Sequence, residues 1–183
     1  MTPVTLDEAG NLLGTLAGHE VRPYATQNFG RDKNPEARSV IVPEKQSRRI
    51  LAKFREQLPT GFVAFLGCTS SLESGAAEGD ELVVAAGTTQ FDILRHAQTD
   101  GVNFGLTTDD LIRTLQDIDQ QYGIDIYHAE TDSVEFKLKR LPDPLSEFCE
   151  ELTDFCPDLL AEDSLKDLER SIAKSSRVSL WWD

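Results

Sequence analysis

A chain of 183 residues, 39% hydrophobic and 27% charged, has the composition of a folded globular protein and the length for one domain with a real core. Its net charge of −14 is unevenly spread: residues 1–99 carry 12 acidic and 10 basic side chains, residues 100–183 carry 20 and 8. A C-terminal half at −12 attracts cations and repels nucleic acid and anionic membranes, so neither is expected as a partner.

In chain order, residues 1–37 are the least regular part, with Leu12, Leu13 and Leu16 docking as one helical turn and Gln27–Arg38 an irregular polar connection. The start has no basic segment ahead of an apolar stretch, and no apolar run reaches 18 residues, so neither a secretory leader nor a membrane span is expected. Val40-Ile41-Val42 reads as a short strand and Pro43 as the opening of a helix. That helix turns Ile50, Leu51, Phe54 and Leu58 inward and ends at Pro59-Thr60-Gly61. Its other face carries Lys45, Arg48, Arg49, Lys53 and Arg55. This is either a solvated face or one that docks on an acidic surface, such as the C-terminal half of the same chain.

Phe62–Leu66 and Leu82–Ala86 are unbroken apolar runs, the mark of strands buried on both faces, joined by a surface loop from Cys68 to Asp80. Thr89 with Asp92, then Thr107 with Asp110, are capping signatures that open two helices. The second presents Leu111, Leu115, Ile118 and Tyr122 on one face, with Gly123 at its end. Ile124 and Ile126, then Val134, Phe136 and Leu138, alternate with polar residues across a Glu130-Thr131-Asp132 turn, which predicts an antiparallel hairpin with one wet face. Pro142 opens a helix with Leu145, Phe148, Leu152 and Phe155 inward, and Ser164 caps a last one built on Leu165, Leu168 and Ile172. Arg177–Trp182 closes as a strand. The expectation is an α+β single domain, residues 1–183, with a mixed or antiparallel sheet of about five or six strands and helices packed against it.

No residue cluster spells out a reaction. The histidines His19, His96 and His128 are scattered and no metal-ligand spacing occurs, so no metal or cofactor is expected. Cys149 and Cys156 lie seven apart on a helix, about 10 Å along its axis and too far for a disulfide. Buried thiols in a reducing cytoplasm are the expectation. Glu147, Glu150, Glu151, Asp154 and Asp158 form an acidic stripe at helical spacing, either a solvated face or a seat for a basic partner. Gly87-Thr88-Thr89 before a helix suits an anion but suits ordinary capping better. Of Trp181 and Trp182, alternation sends one to the core and the other to the opposite face, under a helix or exposed as an interface anchor.

Taken as an ordered set, Phe91-Asp92-Ile93-Leu94-Arg95, Asn103, Thr108-Asp109-Asp110, Tyr122-Gly123-Ile124-Asp125-Ile126, Val134-Glu135-Phe136, Phe155-Cys156-Pro157-Asp158 and Leu180-Trp181-Trp182-Asp183 resemble the bacterial family called domain of unknown function 4253. The resemblance spans about residues 60–183 and is best from 89 onward. It departs at Leu159–Asp163, where family members carry a glycine-containing connection. It implies a bacterial cytoplasmic protein and brings no activity, cofactor or catalytic residue.

These readings converge on a non-catalytic acidic binding protein, concretely an immunity or antitoxin-type protein neutralising a basic toxin such as a nuclease with a basic cleft. The acidic stripe would steer the partner, with Trp181 or Trp182 as anchor. Two alternatives stand beside it. One is a small enzyme with a site near the 68–80 loop using Cys68, His96 or His128; the other is an accessory homo-oligomeric structural protein.

Overall fold

In the computed structural model, residues 4–25, 33–69, 79–160 and 164–183 are described. Among these the order is α1 (Leu6–Ala17), β1 (Arg22–Ala25), β2 (Lys33–Val42), α2 (Glu44–Arg55), β3 (Phe62–Thr69), β4 (Asp80–Ala86), α3 (Asp92–Ala97), α4 (Thr108–Tyr122), β5 (Ile124–Ala129), β6 (Ser133–Leu138), α5 (Leu145–Phe155), α6 (Leu165–Ser175) and β7 (Arg177–Trp181). The strands form one open sheet in the order β1-β2-β4-β3-β5-β6-β7. Every neighbouring pair is antiparallel except β3 and β5, which run parallel and share a single ladder pair, Leu66 with His128. The class is therefore α+β as expected, with seven strands instead of five or six.

The extra strand, β1, and the lengthened start of β2 both come from the first 38 residues, expected to be the least regular. Residues 33–38 belong to β2, which pairs with β1 on one side and β4 on the other. Pro35 sits where the β1–β2 register jumps, between the paired residues Asn34 and Arg38, so its missing N–H costs no ladder bond. Residues 26–32 of that segment lie outside the described ones. Near its start, Thr5 and Glu8 form a reciprocal capping box that starts α1.

Two apolar layers sandwich the centre of the sheet. One packs Leu13 of α1 and Ile50, Leu51 and Phe54 of α2 on Val40, Leu66 and Val84. The other packs α3, α4 and α5, through Ile93, Leu111 and Phe148, on Phe65, Val83, Ile126 and Phe136. Covered on both sides, β4 is buried along all but its last residue, which is why it and β3 read as continuous apolar runs. Thr107 and Asp110 make the capping box of α4, and Gly123 ends that helix with φ +69°, where a Cβ would crowd Lys139. Helix α5 starts at Leu145, a little later than Pro142 suggests. No helix among the described residues is long and apolar enough to cross a membrane.

The α1–α2 layer covers only half of its face. Beyond β3 the same face of β5, β6 and β7 shows Asp125, Glu135, Lys137, Arg177, Ser179 and Trp181, while Ile126, Phe136 and Val178 point to the opposite core. This uncovered half is the floor of the candidate site.

Candidate functional site

A β-bulge shapes the floor. Along β5 and β6, Ile126 pairs with Phe136 and His128 with Glu135, which leaves Tyr127 as the extra residue. A bulge sends two successive side chains toward one face, and both Tyr127 and His128 reach Glu135. The Tyr127 hydroxyl donates to Glu135 Oε2 at 2.6 Å, Arg48 of α2 donates to the same oxygen at 3.3 Å, and His128 Nδ1 lies 3.6 Å from Oε1. His128 Nε2 stands 3.0 Å from Glu130 Oε1. Burial first, then the bond and charge of Glu135, push the Tyr127 phenol well above its ordinary range, so it stays a donor. Its ring also lies near two guanidiniums, Arg48 at 5.0 Å and Arg177 at 6.0 Å.

The basic face of α2 therefore docks in part on the acidic half of its own chain. Arg55 donates to Asp125 at 2.8 Å and to the carbonyls of Ala64 and Ile126, each at 2.6 Å. Between α2 and the sheet is a cavity of about 390 Å³ in which Arg48, Arg55, Lys137 and Arg177 surround Tyr127 and one carboxylate, Asp125. A second cavity of about 470 Å³ shares Arg48, Tyr127 and Arg177 with it and runs between β7 and α6 to Leu159, Leu168 and Trp181. Together they form one groove, cationic at one end and mixed at the other, where Leu159, Leu168 and Trp181 stand among Glu135, Ser171, Ser175 and Ser179.

Further along the sheet, Glu81 of β4 is buried at 1% exposure. It accepts from the Ser39 hydroxyl at 2.6 Å and from Arg22 at 3.2 Å through Oε1, while Oε2 has no partner among the described residues. Burial raises its carboxyl above the ordinary 4.5, more than Ser39 and Arg22 lower it. Between pH 4.5 and the raised folded value the folded protein thus keeps a proton that the unfolded chain has released. Stability from this residue is complete below pH 4.5 and is lost as pH rises through the folded value. Glu81→Gln is expected to remove this slope: the stability difference, variant minus wild type, should grow from pH 4.5 toward neutrality in urea melts. A difference that is flat with pH would rule the assignment out. Nothing in the apolar run around Leu82 hinted at this carboxyl, because its partners come from β1 and β2.

The residues singled out from the sequence fall in several places. Glu147, Glu150, Glu151 and Asp154 are exposed along α5, opposite the buried Phe148, Cys149 and Leu152. Asp158 is half-buried and accepts from the backbone N–H of Asp183 at 2.9 Å, so it holds the last strand in place. Trp182 is 3% exposed, stacks edge-on with Phe155 and donates from Nε1 to the Phe155 carbonyl, which makes it a core residue closed to any partner. Trp181 is half-exposed and lines the mixed end of the groove.

His96 and His128 do not converge. His96 sits on α3, buried, bonded to Asn34 and to the Ala86 carbonyl. His128 faces the other side of the sheet, with Glu130 and Glu135. His19 is exposed. Cys68 lies in β3, and the 70–78 stretch of its loop is outside the described residues. Cys149 and Cys156 are buried free thiols, each pushed up to about 11 chiefly by burial. The N–H groups of Thr88 and Thr89 both donate to Asp92, which fills the seat an anion would use. Among the described residues no group of three or more His, Cys, Asp or Glu is placed to hold a metal ion.

No curated protein and no solved structure matches the chain. Residues 81–183 match the model of the family described as Domain of unknown function (DUF4253), beginning in β4 instead of near residue 60 and taking in the bulge, Glu135, α5 and both tryptophans. That match covers more than half of the chain, which belongs to this family.

Proposed function

We propose that this protein is a non-catalytic binding protein that takes a cationic protein partner on the acidic face of α5, in the manner of an immunity or antitoxin protein neutralising a basic toxin. One observation carries the reading. Glu147, Glu150, Glu151 and Asp154 are exposed and unpaired with any cation among the described residues, whereas four acids elsewhere bond the starts of their own helices. Glu8 bonds Thr5, Asp92 bonds Thr88 and Thr89, Asp110 bonds Thr107, and Asp167 bonds Ser164. The α5 carboxylates stabilise nothing local, so their charge is free to act on a partner. A like-signed display of this kind accelerates encounter with a basic surface, by about 10-fold or more at low salt. Trp181 is the aromatic anchor of this reading: its carbonyl accepts from the Cys156 thiol just past the end of α5, and its half-exposed indole turns to the neighbouring sheet face. A cytoplasmic site of action belongs to the same reading, because it keeps the buried thiols reduced.

The test compares wild type with the E147K/E150K/E151K/D154K variant in co-purification from the native host at low salt, with mass spectrometry of what is retained. The expected result is one stoichiometric basic protein that binds wild type, leaves as salt shortens the screening length from about 10 Å to about 3 Å, and is missing from the variant. No such partner, or one held equally by both proteins, overturns the reading.

A further inference from the structure

We infer that the groove between α2, the bulged sheet face and α6 is a binding site for a small amphipathic organic anion, with its acidic head among Arg48, Lys137 and Arg177 and its apolar body toward Leu168 and Trp181. Its cationic end is separate from the α5 carboxylates, and Trp181 is the one residue that both sites use.

The cationic end is not balanced from within. Lys137 of β6 and Arg177 of β7 are direct register partners on the open face, and like charges directly opposite on neighbouring strands repel. Asp125, the register partner of Lys137 on its other side, is engaged by Arg55 at 2.8 Å. Glu135 is engaged by Tyr127 and Arg48. Neither Lys137 nor Arg177 forms an ion pair among the described residues. In a chain of net charge −14, four cations around one carboxylate is a local reversal of sign. An anion seated between Lys137 and Arg177 turns their mutual repulsion into two attractions, and the Arg48 guanidinium on the facing wall adds a third.

The rest of the groove defines the remainder of the ligand. Cavities of about 390 and 470 Å³ joined at Tyr127 lie in the size range of small-molecule sites, roughly 300–1,000 Å³. Past Arg177 the walls take in Leu159, Leu168 and the Trp181 indole, with Ser171, Ser175 and Ser179 between them and Glu135 at the junction. The apolar walls reward an aliphatic or aromatic body and do nothing for a bare inorganic anion. The matching class is a carboxylate, sulfonate or phosphate carried on an apolar body.

The test uses two probes that differ only in the acidic head. One is 8-anilinonaphthalene-1-sulfonate; the other is uncharged N-phenyl-1-naphthylamine. Both are titrated into the full-length protein and followed by probe emission and by energy transfer from tryptophan. The expected result is saturable binding of the sulfonate at least 10-fold tighter than of its uncharged analogue. In the K137E/R177E variant that preference should vanish. Lys137 and Arg177 are exposed, so the fold should survive, as circular dichroism will show; single Lys137→Gln and Arg177→Gln variants, each weakening the sulfonate several-fold, carry the same test should the double variant unfold. Equal affinity for the two probes, no saturable sulfonate binding, or unchanged sulfonate affinity in the groove variants overturns the inference.

Discussion

Arg55→Met is expected to destabilise the protein by about 3 kcal/mol, a drop of roughly 6–12 °C in Tm for a chain of this size. The reason lies in how the sheet is joined. Its other strand neighbours share four or more ladder pairs, but β3 and β5 share one, Leu66 with His128. The antiparallel half built on β2, β3 and β4 meets the half built on β5, β6 and β7 at this thin seam. Arg55 reaches over it from α2, donating to Ala64 of β3 and to Ile126 of β5. A single guanidinium replaces ladder bonds that the strands do not make with each other.

Removing it leaves two carbonyls to find water beneath a helix, and each unmet carbonyl costs about 1–3 kcal/mol when fully buried. The side chain is 24% exposed, so some water reaches the gap and the lower part of that range applies. Lysine should restore only part of the loss, because one ammonium cannot span two strands as a planar fork does. Asp125→Asn should cost less than about 1 kcal/mol, its carboxylate being 53% exposed. Urea melts followed by circular dichroism measure all three. A loss below about 1 kcal/mol for Arg55→Met would show that the seam holds without the clamp.

Phe136→Ala should cost about 3–5 kcal/mol, the range for emptying a large aromatic site in a packed core. Phe136 is fully buried at the centre of β6, flanked in register by Ile126 of β5 and Val178 of β7. Its neighbours on the strand, Glu135 and Lys137, face the groove. The ring therefore supports the site from behind. In the same melts a loss of less than about 2 kcal/mol would mean that the surrounding side chains collapse into the space. The variant's weakened floor should then also blur the probe preference of the groove.

Local features were legible because neighbours in sequence decide them. Thr107 with Asp110 and Ser164 with Asp167 set helix starts within one turn. Alternation from Ile124 to Leu138 is enough to write the β5–β6 hairpin, and the inward set of α5 follows from helical spacing. The same spacing places Glu147, Glu150, Glu151 and Asp154 on an outer face. The residue order from Phe91 to Asp183 was sufficient for the family as well.

What decided the groove is nonlocal. Alternation across Asp125 and Tyr127 carries no sign that the ladder skips a residue, because a bulge exists only relative to the partner strand. Without it Tyr127 and His128 would point to opposite faces and could not share Glu135. The landing of α2 on the C-terminal half was one of two open readings of its basic face; it depends on β5 lying beside β3, which no local pattern encodes. Strand β2 was missed before Ser39 because Pro35 falls at a register jump and polar residues are tolerated there, and its pairing partners on both sides supply the order its own sequence lacks. The two tryptophans are adjacent and chemically identical; only the closing of Phe155 over Trp182 separates the core residue from the groove residue. Helix starts, turns and apolar faces were thus settled by the sequence alone, since short-range hydrogen bonds and burial periodicity act within a few residues. Strand order, the bulge and the convergence of Arg48, Lys137 and Arg177 were settled only by tertiary packing, since each depends on which distant segment lies alongside.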